Sequence, residues 1–131
     1  MKEIKVIIAG GRDFSDISAV KKALCSDIPL LDDYISSVIS AGESYKITIV
    51  SGMARGADKA GYEAAKELHL KCYEFPADCN KYGKSAGFRR NTEMAQFADV
   101  LIAFWDGESR GTKHMIETMQ RLNKPVHIVR Y

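Results

Sequence analysis

The sequence predicts an α/β fold with a Rossmann-like parallel sheet of about five strands, in the order 3-2-1-4-5, and with helices on both faces. Two observations lead to this prediction. Short apolar runs typical of buried parallel strands alternate with segments of helical period along the chain. The strongest of these runs end in glycine-containing turns that lead into a helix, as in a strand-to-helix crossover. Residues 1–131 are predicted to form a single domain, since this length is ordinary for one hydrophobic core.

The composition is that of an ordinary globular protein. Hydrophobic residues make up 46% and charged residues 27% of the chain, and no apolar run approaches the ~18 residues that a membrane span needs. The first residues lead straight into a strand pattern, so we expect a cytoplasmic location. The 3 cysteines have no C-x-x-C spacing and are expected to be free thiols. A net charge of +2 does not by itself indicate a nucleic-acid partner.

The first half of the chain is predicted to contain two strands and a broken helical connection. Strand 1 covers residues 1–9 and ends in a glycine pair. Helical spacing follows from residue 17 to about residue 27, and Pro29 interrupts it because proline cannot donate a hydrogen bond inside a helix. The helical period resumes over residues 31–39, so the connection is either two helices or one broken helix. Strand 2 is predicted at residues 47–50.

The second half alternates regularly between helix and strand. A stripe of small residues predicts a helix from about residue 56 to residue 68 that lies close on the sheet, and strand 3 follows at residues 71–75. Residues 77–87 have no clear period and are predicted to be a loop, after which a helix begins near Gly87 or Phe88. Three further elements complete the prediction: strand 4 at Val100–Trp105, a helix with its apolar stripe at residues 112–119, and strand 5 at residues 126–129.

The loops after the strands carry most of the residues suited to bind a ligand. In an open parallel sheet, ligands bind beyond the carboxyl ends of the strands, where the strand order reverses. The turn over residues 51–58 brings glycines, backbone N–H groups and a helix start to this edge, and such a turn suits a phosphate. Arginines from neighbouring loops add bidentate donors. The candidate ligand-binding residues are Gly10, Gly11, Arg12, Phe14, Ser51, Gly52, Ala54, Arg55, Gly56, Asp58, Arg90, Asn91, Trp105, Ser109, Arg110, Gly111 and Thr112.

Several of these residues also have an ordinary structural explanation. The glycine pair after strand 1 is by itself a common turn, and Thr112 can cap its helix. The amide of Asn91 lies on the apolar face of its helix and must find partners there, so it either ties a loop down or orients a ligand. Asp58 either stabilises its helix start or accepts a hydrogen bond from a ribose hydroxyl. The aromatic residues near this edge can stack on a base or pack in the core: Phe14, Tyr82 and Trp105.

Standard nucleotide and metal motifs are absent from the sequence. No G-x-G-x-x-G follows strand 1, no acidic residue ends strand 2, and G-x-x-x-x-G-K-[ST] does not occur. The histidines His69, His114 and His127 have no ligand spacing, so we predict no metal site and identify no cofactor. No serine, cysteine or threonine has an obvious base partner for nucleophilic catalysis.

Taken together, the motifs resemble the YspA-like branch of the SLOG superfamily. The matching segments are Gly10-Gly11-Arg12-Asp13-Phe14, residues 51–58, Ala77-Asp78 with residues 83–87 and 90–94, and Ser109-Arg110-Gly111-Thr112. This resemblance spans nearly the whole chain. It implies a Rossmann-like fold that binds nucleotides or nucleotide-derived ligands, similar to the Lonely-guy phosphoribohydrolases and to the DNA-processing protein DprA. It also implies a bacterial or phage protein.

Two positions depart from the patterns of these relatives. Cys79 stands where a tryptophan is usual in the A-D-W segment, which removes an aromatic contact. His114 stands where the phosphoribohydrolases carry a glutamate two residues after the threonine. The catalytic residue of those enzymes is therefore replaced here.

Three functions are compatible with these residues. The first is a sensor or carrier that binds a nucleotide, a nucleotide sugar or a similar phosphorylated small molecule. The second is a nucleotide N-glycosidase or phosphoribohydrolase that uses Asp58 or Glu108 as an acid or electrostatic stabiliser. The third is single-stranded nucleic-acid binding, which we rank lowest because the basic residues are expected to cluster in one pocket. No membrane partner is expected, and association of identical copies is left open.

Overall fold

The computed structural model describes residues 2–25, 29–54 and 56–131, with side chains described outside residues 25 and 29–34. The predicted strand start at Met1, the predicted helix end near Asp27 and the candidate ligand residue Arg55 lie outside the described residues. The elements are β1 (Lys2–Gly10), α1 (Ile17–Cys25), α2 (Pro29–Ser40), β2 (Tyr45–Ser51), α3 (Ala57–Glu67), β3 (Cys72–Glu74), α4 (Cys79–Tyr82), a 3-10 turn (Gly83–Ser85), α5 (Ala86–Phe97), β4 (Val100–Trp105), α6 (Arg110–Arg121) and β5 (Val126–Arg130).

The strands of the described ranges form one parallel sheet in the order β3-β2-β1-β4-β5, which confirms the predicted fold class and strand order. The central strand is β1, where Ile7 lies opposite Val50 of β2 and Leu101 of β4. The chain builds β1, β2 and β3 toward one edge and then crosses to β4 on the other side of β1. Strand order therefore reverses between β1 and β4, and the crevice beyond their carboxyl ends is the expected ligand position.

Helices cover both faces of the sheet and create two layers of hydrophobic core. On one face, α1 and α3 pack against alternate side chains of β1, including Val6 and Ile8. On the other face, α5 and α6 pack against Ile7 and Leu101. The central strands are thus buried on both sides, which is why their sequences consist of continuous apolar runs.

The broken connection after β1 is two helices, which is one of the two predicted alternatives. α2 begins at Pro29, where proline loses no intrahelical hydrogen bond because the first helical N–H has no partner in any case. Among residues 2–25, 29–54 and 56–131, no helix is both long and apolar enough to cross a bilayer.

Three predicted boundaries differ from the structure. Residues 77–87 are not a loop throughout, because α4 and the 3-10 turn form there and lead directly into α5 at Ala86. These turns are too short to show a hydrophobic period, but the side chain of Asp78 caps α4 by accepting a hydrogen bond from the N–H of Lys81 at 3.1 Å. β2 begins at Tyr45, since its first, polar residues still pair with β1. β3 is shorter than predicted and covers only Cys72–Glu74.

α3 lies close on the sheet because its inner face consists of small residues. The side chains of Ala57, Ala60 and Ala64 are buried. At Gly61 the helix contacts β1 itself, and a Cβ added there would lie 2.6 Å from the Cβ of Ile8. This separation leaves no room for any side chain at position 61.

We expect Gly61→Ala to lower the free energy of unfolding by about 1–3 kcal/mol, the usual range for overpacking a core. The matched control is Gly111→Ala, since Gly111 is also helical but an added Cβ there meets no atom within 4 Å. The control should leave stability unchanged or raise it by up to about 1 kcal/mol through helix propensity. Urea unfolding of both variants measures the difference, and equal effects at the two positions would contradict the close contact.

Candidate ligand-binding site

A cleft of about 950 Å³ opens at the carboxyl edge of the sheet, where the strand order reverses. Its volume lies within the usual range for small-molecule sites, roughly 300–1,000 Å³. The loop after β1, the turn after β2 and the first turns of α5 and α6 form its walls. The structure brings these predicted ligand residues together in its lining: Gly10, Gly11, Arg12, Gly52, Ala54, Asp58, Arg90, Asn91, Ser109, Arg110, Gly111 and Thr112.

Two predicted ligand residues, Ser51 and Gly56, hold the turn in place and are not among the described lining residues. The side chain of Ser51 is fully buried; its hydroxyl donates to the backbone oxygen of Asp58 at 2.8 Å and accepts from the N–H of Met53 at 3.1 Å. Gly56 has a φ of 93°, and a Cβ there would collide with the backbone oxygen of Gly11. Both residues therefore serve the packing of the loops.

Two of the aromatic residues singled out in the sequence, Phe14 and Trp105, also serve packing. Phe14 is 7% exposed and stacks on Phe104 with ring centroids 4.5 Å apart. The indole N–H of Trp105 donates to the backbone oxygen of Ser109 at 3.2 Å. Among the described lining residues, Phe14, Tyr82 and Trp105 do not occur. Of the two alternatives, the structure favours packing for Phe14 and Trp105.

The loop after β1 is held by the far end of the sheet. The hydroxyl of Tyr131, directly after β5, donates to a carboxylate oxygen of Asp13 at 2.6 Å. The Tyr131 ring also packs on Phe14, with centroids 5.0 Å apart. Burial and the neighbouring Asp13 carboxylate raise the pKa of Tyr131 to about 12, so this hydroxyl remains a donor at neutral pH.

The turn over residues 51–58 uses several of its own backbone donors. The N–H of Met53 donates to Oγ of Ser51 at 3.1 Å, and the N–H of Ala57 donates to the backbone oxygen of Gly11 at 3.1 Å. These amides were the expected phosphate donors. In the described part of the turn, they hold the protein together instead.

Asp58 is a buried carboxyl group in the wall of the cleft and is 6% exposed. A Cβ added at Gly52 would lie 2.7 Å from an Asp58 carboxylate oxygen and 2.7 Å from Nη1 of Arg90, so both groups border the same glycine. Burial raises the pKa of Asp58 to about 6 from its ordinary 3.8, and the Arg90 charge and the Ala54 N–H offset part of this increase. A fraction of this carboxyl group is therefore protonated near neutral pH.

Arg90 and Asn91 join three walls of the cleft. Nη1 of Arg90 donates to the backbone oxygen of Gly52 at 2.6 Å, and its Nε donates to Oδ1 of Asn91 at 3.0 Å. Nδ2 of Asn91 then donates to the backbone oxygen of Gly111 at 3.2 Å. The buried amide thus has the partners that its apolar surroundings demand, and it ties α5 to the start of α6.

The first turn of α6 opens into the cleft. Ser109 caps this helix, because its Oγ accepts from the N–H of Thr112 at 3.5 Å. The preceding turn is fixed by Asp106, whose carboxylate accepts from the N–H groups of Glu108 and Ser109 at 2.8 and 2.9 Å; these bonds lower the pKa of Asp106. The N–H groups of the first two helical residues, at positions 110 and 111, have no intrahelical partner by helix geometry. They are suitable donors for an anion.

The cleft carries charges of both signs. Its described basic residues are Arg12, Lys84, Arg90 and Arg110, and its acidic residues are Asp13, Asp58 and Asp106. The candidate acid Glu108 and the nearby Lys113 are not among the described lining residues. Within the described ranges, no three His, Cys, Asp or Glu side chains are grouped to hold a metal ion.

Sequence reasoning missed an aromatic side chain in the cleft. Phe88 is 48% exposed and lines the wall formed by α5, and its ring packs on His114 with centroids 4.4 Å apart. The available signal was its spacing, because Phe88 precedes Asn91 by three residues and continues the same helical face beyond the core. Lys84 was missed because it lies in the 3-10 turn that showed no period.

No family model matches the chain. A relative is the Gene 61 protein of Mycobacterium phage D29, which is 32% identical over 134 aligned positions that cover 93% of this chain and 93% of the relative. This phage relative fits the expected bacterial or phage occurrence. Because the similarity extends over nearly the whole of both proteins, the chain belongs to the family of the Gene 61 protein of Mycobacterium phage D29.

Proposed function

We propose that the protein binds a nucleotide or a nucleotide-derived phosphorylated molecule in the cleft, as a sensor or carrier. The observation that carries this proposal is the first turn of α6, which opens into the cleft beside Arg110. Two N–H groups and the positive end of a helix dipole meet there, and phosphate oxygens are the ligands that such a helix start favours. The exposed guanidinium of Arg12 lies in the same cleft and can add bidentate hydrogen bonds.

The mixture of charges supports a small molecule over a nucleic acid. Four basic and three acidic side chains occur among the described lining residues. A polyanion would gain little from this nearly balanced surface, because nucleic-acid affinity depends on many cationic contacts to phosphates. A nucleotide offers both a phosphate for the arginines and hydroxyl donors for the carboxylates.

The motif resemblance supports the same ligand class. We infer membership of the YspA-like branch of the SLOG superfamily from the segments at residues 10–14, 51–58, 90–94 and 109–112. Each of these segments contributes residues to the lining of the cleft. That superfamily is associated with nucleotides and nucleotide-derived ligands, and the proposal extends this association to the present chain.

A nucleoside monophosphate panel tests the proposal through thermal unfolding. We expect at least one of AMP, GMP, CMP and UMP to raise the melting temperature in a concentration-dependent way, since a ligand that binds only the folded state stabilises it. Arg110→Ala should weaken the binding of that nucleotide by about 1.5–3 kcal/mol, or roughly 10- to 150-fold, because a charge-assisted hydrogen bond is lost.

The control for this experiment is Lys113→Ala, which removes the same charge from the same helix at a position outside the described lining. It should bind like the unmodified protein to within about threefold, since it loses only a screened surface charge. Equal losses in the two variants would indicate a general electrostatic effect, and no shift with any nucleotide would contradict the proposed function.

A second function, nucleotide N-glycosidase or phosphoribohydrolase, is favoured by one observation. Asp58 is a buried carboxyl group in the cleft with a pKa of about 6, so near neutral pH it can act as a proton donor to a leaving base or, when ionised, stabilise positive charge on the sugar. Perturbed carboxyl groups in clefts are typical of catalytic sites.

Incubation with each nucleotide, followed by chromatography of the products, separates the two functions. For a sensor or carrier we expect no free base beyond that in a protein-free control. Release of free base by the unmodified protein but not by Asp58→Asn would contradict the sensor or carrier and support the phosphoribohydrolase.

The raised pKa of Asp58 also predicts a pH-dependent stability. The folded state holds this proton more tightly than the unfolded state, so the associated stability is fully present below pH 3.8 and is lost as the pH rises through about 6. Asp58→Asn cannot ionise at this position. Relative to the unmodified protein, the variant should gain up to about 3 kcal/mol in unfolding free energy between pH 4 and pH 7.

Urea unfolding at pH 4, 5, 6 and 7 measures this difference, and Asp106→Asn is the control. Because the pKa of Asp106 is lowered from 3.8, its contribution is present at neutral pH and is lost mainly below pH 4, so this difference should stay nearly constant from pH 4 to pH 7. A pH-independent difference between Asp58→Asn and the unmodified protein would contradict the burial of an ionisable carboxyl group.

A further inference from the structure

Phe88 is an apolar side chain that core packing does not explain. It is 48% exposed, although it lines a cleft and belongs to a helix whose next inward positions, Asn91 and Met94, are buried. Leaving a ring half in water forgoes the favourable burial that a core position would provide. A flat apolar surface inside a polar cleft is suited to contact a flat apolar part of a ligand.

The Phe88 ring is held in place from behind. His114 of α6 packs on it, with ring centroids 4.4 Å apart and an interplanar angle of 31°. Nδ1 of His114 in turn lies 3.3 Å from Nδ2 of Asn91. The His114 ring of α6, which has its own hydrogen-bond partner, therefore supports the Phe88 ring of α5.

The hydrogen-bond network fixes the protonation state of this second ring. A guanidinium only donates, so the amide oxygen of Asn91 must face Arg90 and its Nδ2 must face His114. Nδ2 also only donates, so Nδ1 of His114 accepts and the ring carries its proton on Nε2. Burial and the charge of Arg121 lower the pKa of His114, in agreement with a neutral imidazole. The support behind Phe88 is thus an uncharged ring.

Phe88 and the first residues of α6 line the same cleft. His114 follows Gly111 by three residues on α6, and neighbouring positions of this kind are about 5–6 Å apart on a helix surface. The residue that supports the Phe88 ring is therefore about one helical turn from the open start of α6. One ribose can span such a separation between a base and its 5′-phosphate.

We propose that Phe88 is the surface on which the base of the ligand stacks, so that the cleft selects nucleotides over sugar phosphates that lack a base. This inference rests on the proposed function and identifies its ligand class and one residue that determines specificity. Every nucleobase has a π-face, so this contact recognises the presence of a base without choosing among bases.

Titration calorimetry with the tightest of AMP, GMP, CMP and UMP, and with ribose 5-phosphate, tests the inference. Ribose 5-phosphate has the sugar and phosphate of the nucleotide but no base. We expect the unmodified protein to bind the nucleotide more tightly. Phe88→Leu should weaken nucleotide binding by about 5- to 150-fold and leave ribose 5-phosphate unchanged within about twofold. Phe88→Trp should retain the preference, because it preserves an aromatic face.

The outcomes distinguish this inference from the function on which it depends. If both ligands bind the unmodified protein equally and Phe88→Leu changes neither affinity, stacking is wrong and the phosphate site remains. If neither ligand binds, the proposed function fails and the inference fails with it. If Phe88→Leu weakens both ligands equally, the side chain supports the cleft in general and the assigned role is wrong. The melting temperature of each variant without ligand verifies folding.

Discussion

The close contact between the loop after β1 and the start of α3 is the constraint on which the cleft depends. The N–H of Gly11 donates to the backbone oxygen of Phe104 in β4, and the backbone oxygen of Gly11 accepts from the N–H of Ala57 in α3. A side chain at Gly10 or Gly56 would collide with these same backbones. The loop after β1, the start of α3 and the end of β4 therefore approach one another so closely that only glycine fits between them. This contact fixes the inner end of the cleft at the reversal of strand order.

A second constraint determines where an anion can bind. The turn after β2 has the glycines and the helix start of a phosphate loop, yet the hydroxyl of Ser51 and the backbone oxygen of Gly11 already accept hydrogen bonds from two of its amides. Arg90 is likewise engaged by Gly52 and Asn91. The N–H groups of the first two residues of α6, Arg110 and Gly111, have no intrahelical partner by helix geometry. The residues that looked most like a phosphate loop thus organise the cleft, and we propose that the later turn, at the start of α6, supplies the donors.

The fold could be predicted from the sequence because the patterns that indicate the strands and helices of a buried parallel sheet each lie within a short stretch of the chain. Apolar runs, helical stripes and glycine turns indicated the strands and the helices, and the strand order was the usual one for a Rossmann-like sheet. The short turns of residues 79–85 were not predictable by period, since each covers only about one helical turn and the pattern is recognised only when it repeats. Most of the cleft lining followed from the rule for open sheets. The sequence did not show that Phe14 and Trp105 pack in the protein or that Phe88 lines the cleft. These roles depend on which residues are neighbours in three dimensions.

The amide of Asn91 joins α5 to α6 through a hydrogen bond between two groups of the protein itself. The conformational entropy of ordering these two walls is therefore lost during folding and is not lost again during association. For the proposed ligand, we therefore expect that association with these walls needs no slow rearrangement and that its bimolecular rate is set by diffusion, orientation and electrostatic steering. Differences in affinity among related ligands should accordingly arise mainly from differences in the dissociation rates of their complexes.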